Sequence, residues 1–159
     1  MEPTRPTTDF AKEALFNILQ NNWDFDTISF LDLFAGTGGH SYEFASRGCK
    51  QITTVDNDSQ CVSFIKKTAE QFGFKQIQVL KMDVFKFIEG FTEQYDIIFA
   101  GPPYPLKNLD TIPDLIFEHE KLKPEGWLIL EHHITKDFDH HPHFFHKRKY
   151  GTTVFSMFK

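Results

Sequence analysis

Apolar residues along this chain recur with two alternating periods. At helical spacing, Phe10, Ala14, Leu15, Ile18 and Leu19 make one stripe and predict a first helix over 9–21. It is entered through a turn-rich stretch containing Pro3, Pro6, Thr7, Thr8 and Asp9, whose polar side chains can cap it. Short β-branched or aromatic runs then alternate with further helical segments. Strands are predicted at 28–34, 51–55, 77–81, 96–100 and 127–132, and helices at 40–47, 58–72, 84–89 and 111–119. Gly48 and Gly73 stop two of these helices, where a left-handed residue is favoured. The tail reads as a hairpin, 143–150 and 153–158, turning at Gly151-Thr152. Strands separated by helices predict an α/β fold, a doubly wound, mostly parallel sheet, with the hairpin as an antiparallel edge. There is no repeat and no linker, so 1–159 is expected to be one domain.

Composition narrows the picture. Of 159 residues, 40% are hydrophobic and 25% charged, ordinary globular values, while 19 Phe predict an aromatic core. The longest apolar runs are about seven residues, too short for a bilayer-spanning helix. The N-terminus lacks the apolar stretch of an export signal, and Cys49 and Cys61 read as reduced thiols, so a cytoplasmic protein is expected. A net charge of −5 excludes a uniformly basic nucleic-acid coat but leaves room for a local patch, of which Lys147, Arg148 and Lys149 are the clearest run. Seven of the eight His fall between His119 and His146 without ligand spacing. They read as adventitious surface residues, and no metal is expected.

In an open parallel sheet, ligands bind beyond the carboxyl ends of the strands. After the first strand come Phe34, Ala35, Gly36, Thr37, Gly38 and Gly39, opening a helix. After the second come Asp56 and Asn57, with Asp56 20 residues beyond Gly36, the offset of a carboxylate that grips a ribose diol. After the third come Met82, Asp83 and Val84, and after the fourth Gly101, Pro102, Pro103 and Tyr104. Each feature alone has a plain structural reading as a tight turn or a helix N-cap. Together they fit a ligand with a ribose and a heterocycle. Asp32, inside the first strand, would repel a dinucleotide pyrophosphate but favour a cationic ligand, which prefers S-adenosyl-L-methionine over NAD.

These segments resemble the class I S-adenosylmethionine-dependent methyltransferases, with 32–38 similar to their donor-binding loop. Arg5-Pro6-Thr7-Thr8-Asp9 followed by Glu13-Ala14-Leu15-Phe16-Asn17 resembles, more narrowly, the RsmD type, which methylates the exocyclic N2 of a guanine in bacterial small-subunit ribosomal RNA. The resemblance implies a donor lying against Asp32, Phe34, Ala35, Gly36, Thr37 and Gly38, with Thr7 as a further contact. Its ribose would lie at Asp56 and Asn57, and its adenine near Met82, Asp83 and Val84. It also implies ribosomal RNA or an assembling small subunit as partner, and a monomer is expected. That family begins with a further basic hairpin segment, which is expected to be absent here. Its fourth-strand motif starts with Asp, where this chain has Gly101. Proline fixes φ, so Pro102-Pro103 can present a carbonyl stiffly to an amine, and Tyr104 offers a ring on which an extruded base stacks. Losing the motif's carboxylate is expected to weaken the chemistry by roughly 10²–10⁴-fold, and Gly101→Asp to raise the rate.

Two other classes compete with RNA guanine-N2 methylation. Pro102, Pro103 and Tyr104 suit any flat amine-bearing base, so a DNA adenine methyltransferase is one. A donor- or RNA-binding module with little turnover is the other, suggested by Gly101.

Overall fold

The computed structural model describes residues 8–103 and 106–159, so the contacts expected of Thr7 and Tyr104 lie outside the described residues. The chain runs α1 (Asp9–Asn22), β1 (Ser29–Leu33), α2 (Gly39–Ser46), β2 (Gln51–Asp56), α3 (Ser59–Gln71), β3 (Ile77–Lys81), α4 (Val84–Gly90), β4 (Tyr95–Ala100), α5 (Ile112–Glu118), β5 (Leu122–His133), β6 (Phe144–Tyr150) and β7 (Thr153–Phe158). One seven-stranded sheet has the order β3-β2-β1-β4-β5-β7-β6. Strands β1 to β5 pair in parallel, and β7 and β6 close the edge antiparallel. Strand order therefore reverses between β1 and β4, which opens a crevice at their carboxyl ends.

Local chemistry sets the boundaries. Thr8 caps α1 by accepting from the Ala11 N–H at 3.2 Å, Asp58 caps α3 through Gln60 and Cys61, and Asp83 caps α4 through Lys86 at 3.1 Å. Gly48 and Gly73, at φ 102° and 70°, follow α2 and α3 in left-handed backbone, as the sequence predicts.

Strand β5 starts at Leu122, five residues before the predicted 127. Lys123-Pro124-Glu125-Gly126 reads as a turn, yet it forms an irregular strand entry in which Glu125 takes φ 69°. A Cβ on Gly126 would lie 2.8 Å from the Asp96 carbonyl, so only glycine passes there. The helix predicted from 111 starts at Ile112, with a single 3-10 turn over Leu109–Thr111 before it.

The phenylalanines do build the core. On one face of the sheet Phe16 of α1, Phe25, Phe30 of β1 and Phe44 of α2 cluster with Phe99 and Phe155. The Phe30 and Phe44 rings stack at 3.6 Å between centroids. On the other face Leu31, Leu33, Ile98, Leu128 and Phe158 pack against Phe87, Ile88, Ile112 and Ile116 of α4 and α5. Both layers pack against the strands whose carboxyl ends carry the loops described next. No helix of the described residues is long and apolar enough to cross a membrane. Cys49 and Cys61 are free and buried.

Candidate active site

The loop after β1 is built from residues in left-handed backbone: Phe34 at φ 57°, Gly36 at 60° and Gly38 at 84°. For phenylalanine this costs about 1–2 kcal/mol, a strain that surrounding structure must hold in place. Three contacts do so. The Ala35 N–H donates to the Val55 carbonyl at 3.2 Å, the Gly38 N–H to the Ala35 carbonyl at 2.9 Å, and the Gly36 N–H to Asp56 Oδ2 at 2.9 Å. Gly38 is required by its φ, and a Cβ there would also have to displace the Tyr42 hydroxyl, 2.7 Å away. Gly36 and Gly38 are buried, while Ala35 is half-buried and Thr37 exposed.

Asp56, at the end of β2, accepts from Gly36 and, through Oδ1, from the Asp58 N–H at 2.9 Å. It therefore ties the glycine loop to the start of α3. Asn57 beside it is exposed. The Met82 N–H donates to the Asp56 carbonyl at 2.9 Å, which brings the β3 exit alongside. Met82 and Asp83 remain partly exposed, whereas Val84 turns into the core. Phe85 of α4 meets Phe34 edge-on at 6.2 Å, an aromatic pair across the loop that the sequence pattern did not single out.

Asp32 is 1% exposed. Its Oδ2 accepts from Ser41 Oγ at 2.7 Å, and Ser41 Oγ lies 2.7 Å from Thr54 Oγ1. This buried chain links β1, α2 and β2 beneath the loop. Burial pushes the Asp32 carboxyl up to about 7, against the opposing effect of the Ser41 hydrogen bonds. His40, at the start of α2, lies 3.9 Å from the Phe99 ring, and burial followed by the Lys12 charge pulls its pKa down to about 3. It is therefore neutral at physiological pH.

At the exit of β4 the Gly101 N–H donates to the Leu33 carbonyl at 3.3 Å, which holds the Pro102-Pro103 turn beside the glycine loop. A Cβ on Gly101 would lie 2.9 Å from Phe99 Cε1 and 3.9 Å from Glu131 Oε1. The Phe99 ring thus overlaps the place of a side chain at 101, and the Glu131 carboxylate stands within ordinary contact of it. Pro102 and Pro103 line a shallow open cleft together with Leu106, Leu109, Glu131 and His133.

The basic run of β6 is divided. Arg148 pairs with Phe155 and Lys147 with Ser156, so alternation places them on opposite faces of the sheet. Lys147 Nζ is engaged by Asp139 at 2.8 Å, whereas Arg148 and Lys149 are exposed. Three of these histidines have structural partners: buried His132 bonds Ser156 at 2.7 Å, His141 meets Asp114 at 2.8 Å, and His143 stacks on Phe117 at 3.8 Å. Among the described residues no cluster of metal-ligating side chains is present.

A doubly wound sheet with a glycine loop after β1, a carboxylate after β2 and a closing antiparallel hairpin defines the class I methyltransferase fold, whose members use S-adenosylmethionine as methyl donor. Solved structures agree: a hypothetical protein of Thermus thermophilus superposes with TM-score 0.89 at 23% identity, covering 100% of this chain and 90% of that one. A SAM-dependent methyltransferase of Agrobacterium tumefaciens superposes with TM-score 0.70 at 20% identity, covering 98% and 64%.

The model of the family described as Conserved hypothetical protein 95 matches residues 1–159, and the chain belongs to that family. Its relatives include YlbH of Bacillus subtilis, provisionally named an rRNA methyltransferase, 34% identical over 81% of this chain and 71% of that one. The Ribosomal RNA small subunit methyltransferases D of Buchnera aphidicola and Haemophilus influenzae are 27% and 29% identical. Each covers 82% of this chain, which spans 66% and 68% of their lengths.

Proposed function

We propose that this protein transfers a methyl group from S-adenosylmethionine to the exocyclic N2 amine of a guanine in small-subunit ribosomal RNA, acting as a monomer. One juxtaposition carries the reading. The glycine loop with Asp56 and the Pro102-Pro103 turn sit on adjacent strands, joined by the Gly101–Leu33 hydrogen bond, so a donor on one faces a base on the other. The relatives' names supply the RNA class.

The donor fits the residues present. An ionised carboxylate has about four lone-pair sites, and backbone N–H groups take two at Asp56, leaving two toward a ribose diol. Asn57, Met82 and Asp83 edge the place for its adenine, with Phe34 and Phe85 as an apolar wall. Thr37 and Ala35 front the loop. Asp32 acts from beneath, fixing the loop through Ser41 and Thr54 rather than touching the ligand.

The donor supplies a methyl carbon on a cationic sulfur, which needs no further activation. The protein therefore has to hold the amine in line and accept hydrogen bonds from it as its nitrogen becomes tetrahedral. The Pro102 carbonyl is one acceptor, and Tyr104 is the stacking platform. Arg148 reaches RNA phosphates from one face of the β6 edge and Lys149 from the other, beside Lys147, which Asp139 partly neutralises. Gly101 contributes no side-chain acceptor, so rate depends on what else reaches the amine.

The test is transfer from labelled donor to assembled small subunits, naked ribosomal RNA and DNA, followed by nucleoside analysis. Label in N2-methylguanosine from subunits supports the reading. Label in DNA adenine, or none despite donor binding, replaces it with one of the competing classes.

A further inference from the structure

Position 101 has no carboxylate, but the sheet puts one beside it. Ala100 of β4 pairs with Leu130 of β5, so one step further Gly101 and Glu131 stand side by side at the carboxyl ends of neighbouring strands. Glu131 also faces Phe155 of β7, a member of the core cluster that contains Phe99. Alternation therefore turns the Glu131 side chain to the face where a residue at 101 would project. The distance agrees: Glu131 Oε1 lies 3.9 Å from the place of a Cβ on Gly101, so its carboxylate fronts the same end of the sheet. Glu131 is partly buried, and it is the one carboxylate among the described residues lining the cleft with Pro102 and Pro103.

We infer that Glu131 is the side-chain acceptor for the base's exocyclic amine, supplied from β5 instead of from the end of β4. This rests on the methyl-transfer reading above. The amine lone pair forms the new N–C bond, and the methyl–sulfur bond breaks with its electron pair left on sulfur. The proton released from nitrogen passes to the Glu131 carboxylate and on to water. Before transfer, the same carboxylate and the Pro102 carbonyl each accept one of the two amine hydrogens, which orients the lone pair. The Phe99 ring, between His40 at 3.9 Å and Phe155 at 6.2 Å, lies where a side chain at 101 would begin, so a larger residue there would have to displace it.

The experiment compares wild type, Glu131→Ala and Glu131→Gln. Calorimetry with S-adenosylhomocysteine and thermal unfolding measure the donor site and the fold. Fluorescence titration of the S-adenosylhomocysteine complex with 2-aminopurine riboside, which carries an amine at the guanine N2 position, measures amine recognition without turnover. Both variants should keep the heat and the melting temperature. The riboside should bind Glu131→Ala about tenfold to a hundredfold more weakly, as expected for loss of a charge-assisted hydrogen bond. Methyl transfer to subunits should fall by roughly 10²–10⁴-fold. Added formate should recover part of the Glu131→Ala rate and none of the wild-type rate. Wild-type riboside binding and transfer in Glu131→Ala would overturn the assignment alone, as would parallel loss of donor binding and melting temperature. A wild type that binds neither probe overturns the methyl-transfer reading and the assignment with it.

Discussion

Replacing Asp32 by Asn isolates the buried polar chain beneath the donor loop. In the folded protein its carboxyl is pushed from the ordinary 3.8 to about 7, chiefly by burial. The native state therefore keeps a proton that the unfolded chain has released. A group raised in this way stabilises fully below its unfolded pKa, and the contribution is lost as pH rises through the folded one. Each tenfold change in proton affinity is about 1.4 kcal/mol, so the whole effect is about 4 kcal/mol, of which about 3 kcal/mol falls between pH 5 and 8.5. Asn cannot titrate, and the other ionisable groups, the neighbouring Asp56 included, are common to both proteins.

Urea denaturation of wild type and Asp32→Asn at pH 5, 6, 7 and 8.5 gives the difference directly. Wild type should lose about 3 kcal/mol relative to the variant across this range. Any fixed cost of the amide beside Ser41 and Thr54 shifts all points equally. A difference that stays constant with pH would refute the buried, proton-holding carboxyl. A difference that grows in the opposite sense would mean Asp32 is ionised and stabilised by donors.

Three further outcomes follow from the same contacts. Gly101→Asp should fail to raise methyl transfer, against the expectation from the sequence, because its Cβ would meet Phe99 at 2.9 Å and its carboxylate would crowd Glu131; single-turnover rates with both proteins decide this. Phe44→Ala should cost about 3–5 kcal/mol in denaturant unfolding, since its ring is 1% exposed and packs on Phe16, Phe25 and Phe30. Arg148→Ala should flatten the salt dependence of RNA binding by about 0.7 in the log–log slope, with Lys147→Ala smaller because Asp139 already holds that charge.

Much of the fold is legible in the sequence because its signals are local. Period-2 and period-3.6 runs mark the strands and helices, Thr8 and Asp83 announce their caps, and Gly48 and Gly73 their ends, whereas α3 is capped by Asp58, which the pattern counts as its first residue. The early start of β5 is hidden because Pro124-Glu125-Gly126 has turn chemistry, and only pairing of Leu122 with Tyr95 makes it strand. The donor loop and Asp56 can be read from spacing, but the buried state of Asp32 depends on Ser41 and Thr54, which lie on other elements. Lys147, Arg148 and Lys149 look like one patch in a linear chain, and strand alternation divides them. Glu131 carries no motif at all. Its place beside Gly101 comes from strand order and register across 30 residues, which no local pattern encodes.

A methyl donor lying over the carboxyl ends of β1 and β2 has its ribose on Asp56, so its affinity depends on that carboxylate. Calorimetric titration of S-adenosylhomocysteine into wild type and Asp56→Ala tests it most directly. Wild type should bind one-to-one and Asp56→Ala at least tenfold more weakly, from loss of charge-assisted hydrogen bonds of about 1.5–3 kcal/mol each. Absence of binding by the wild type, or equal affinity in the two proteins, would contradict it.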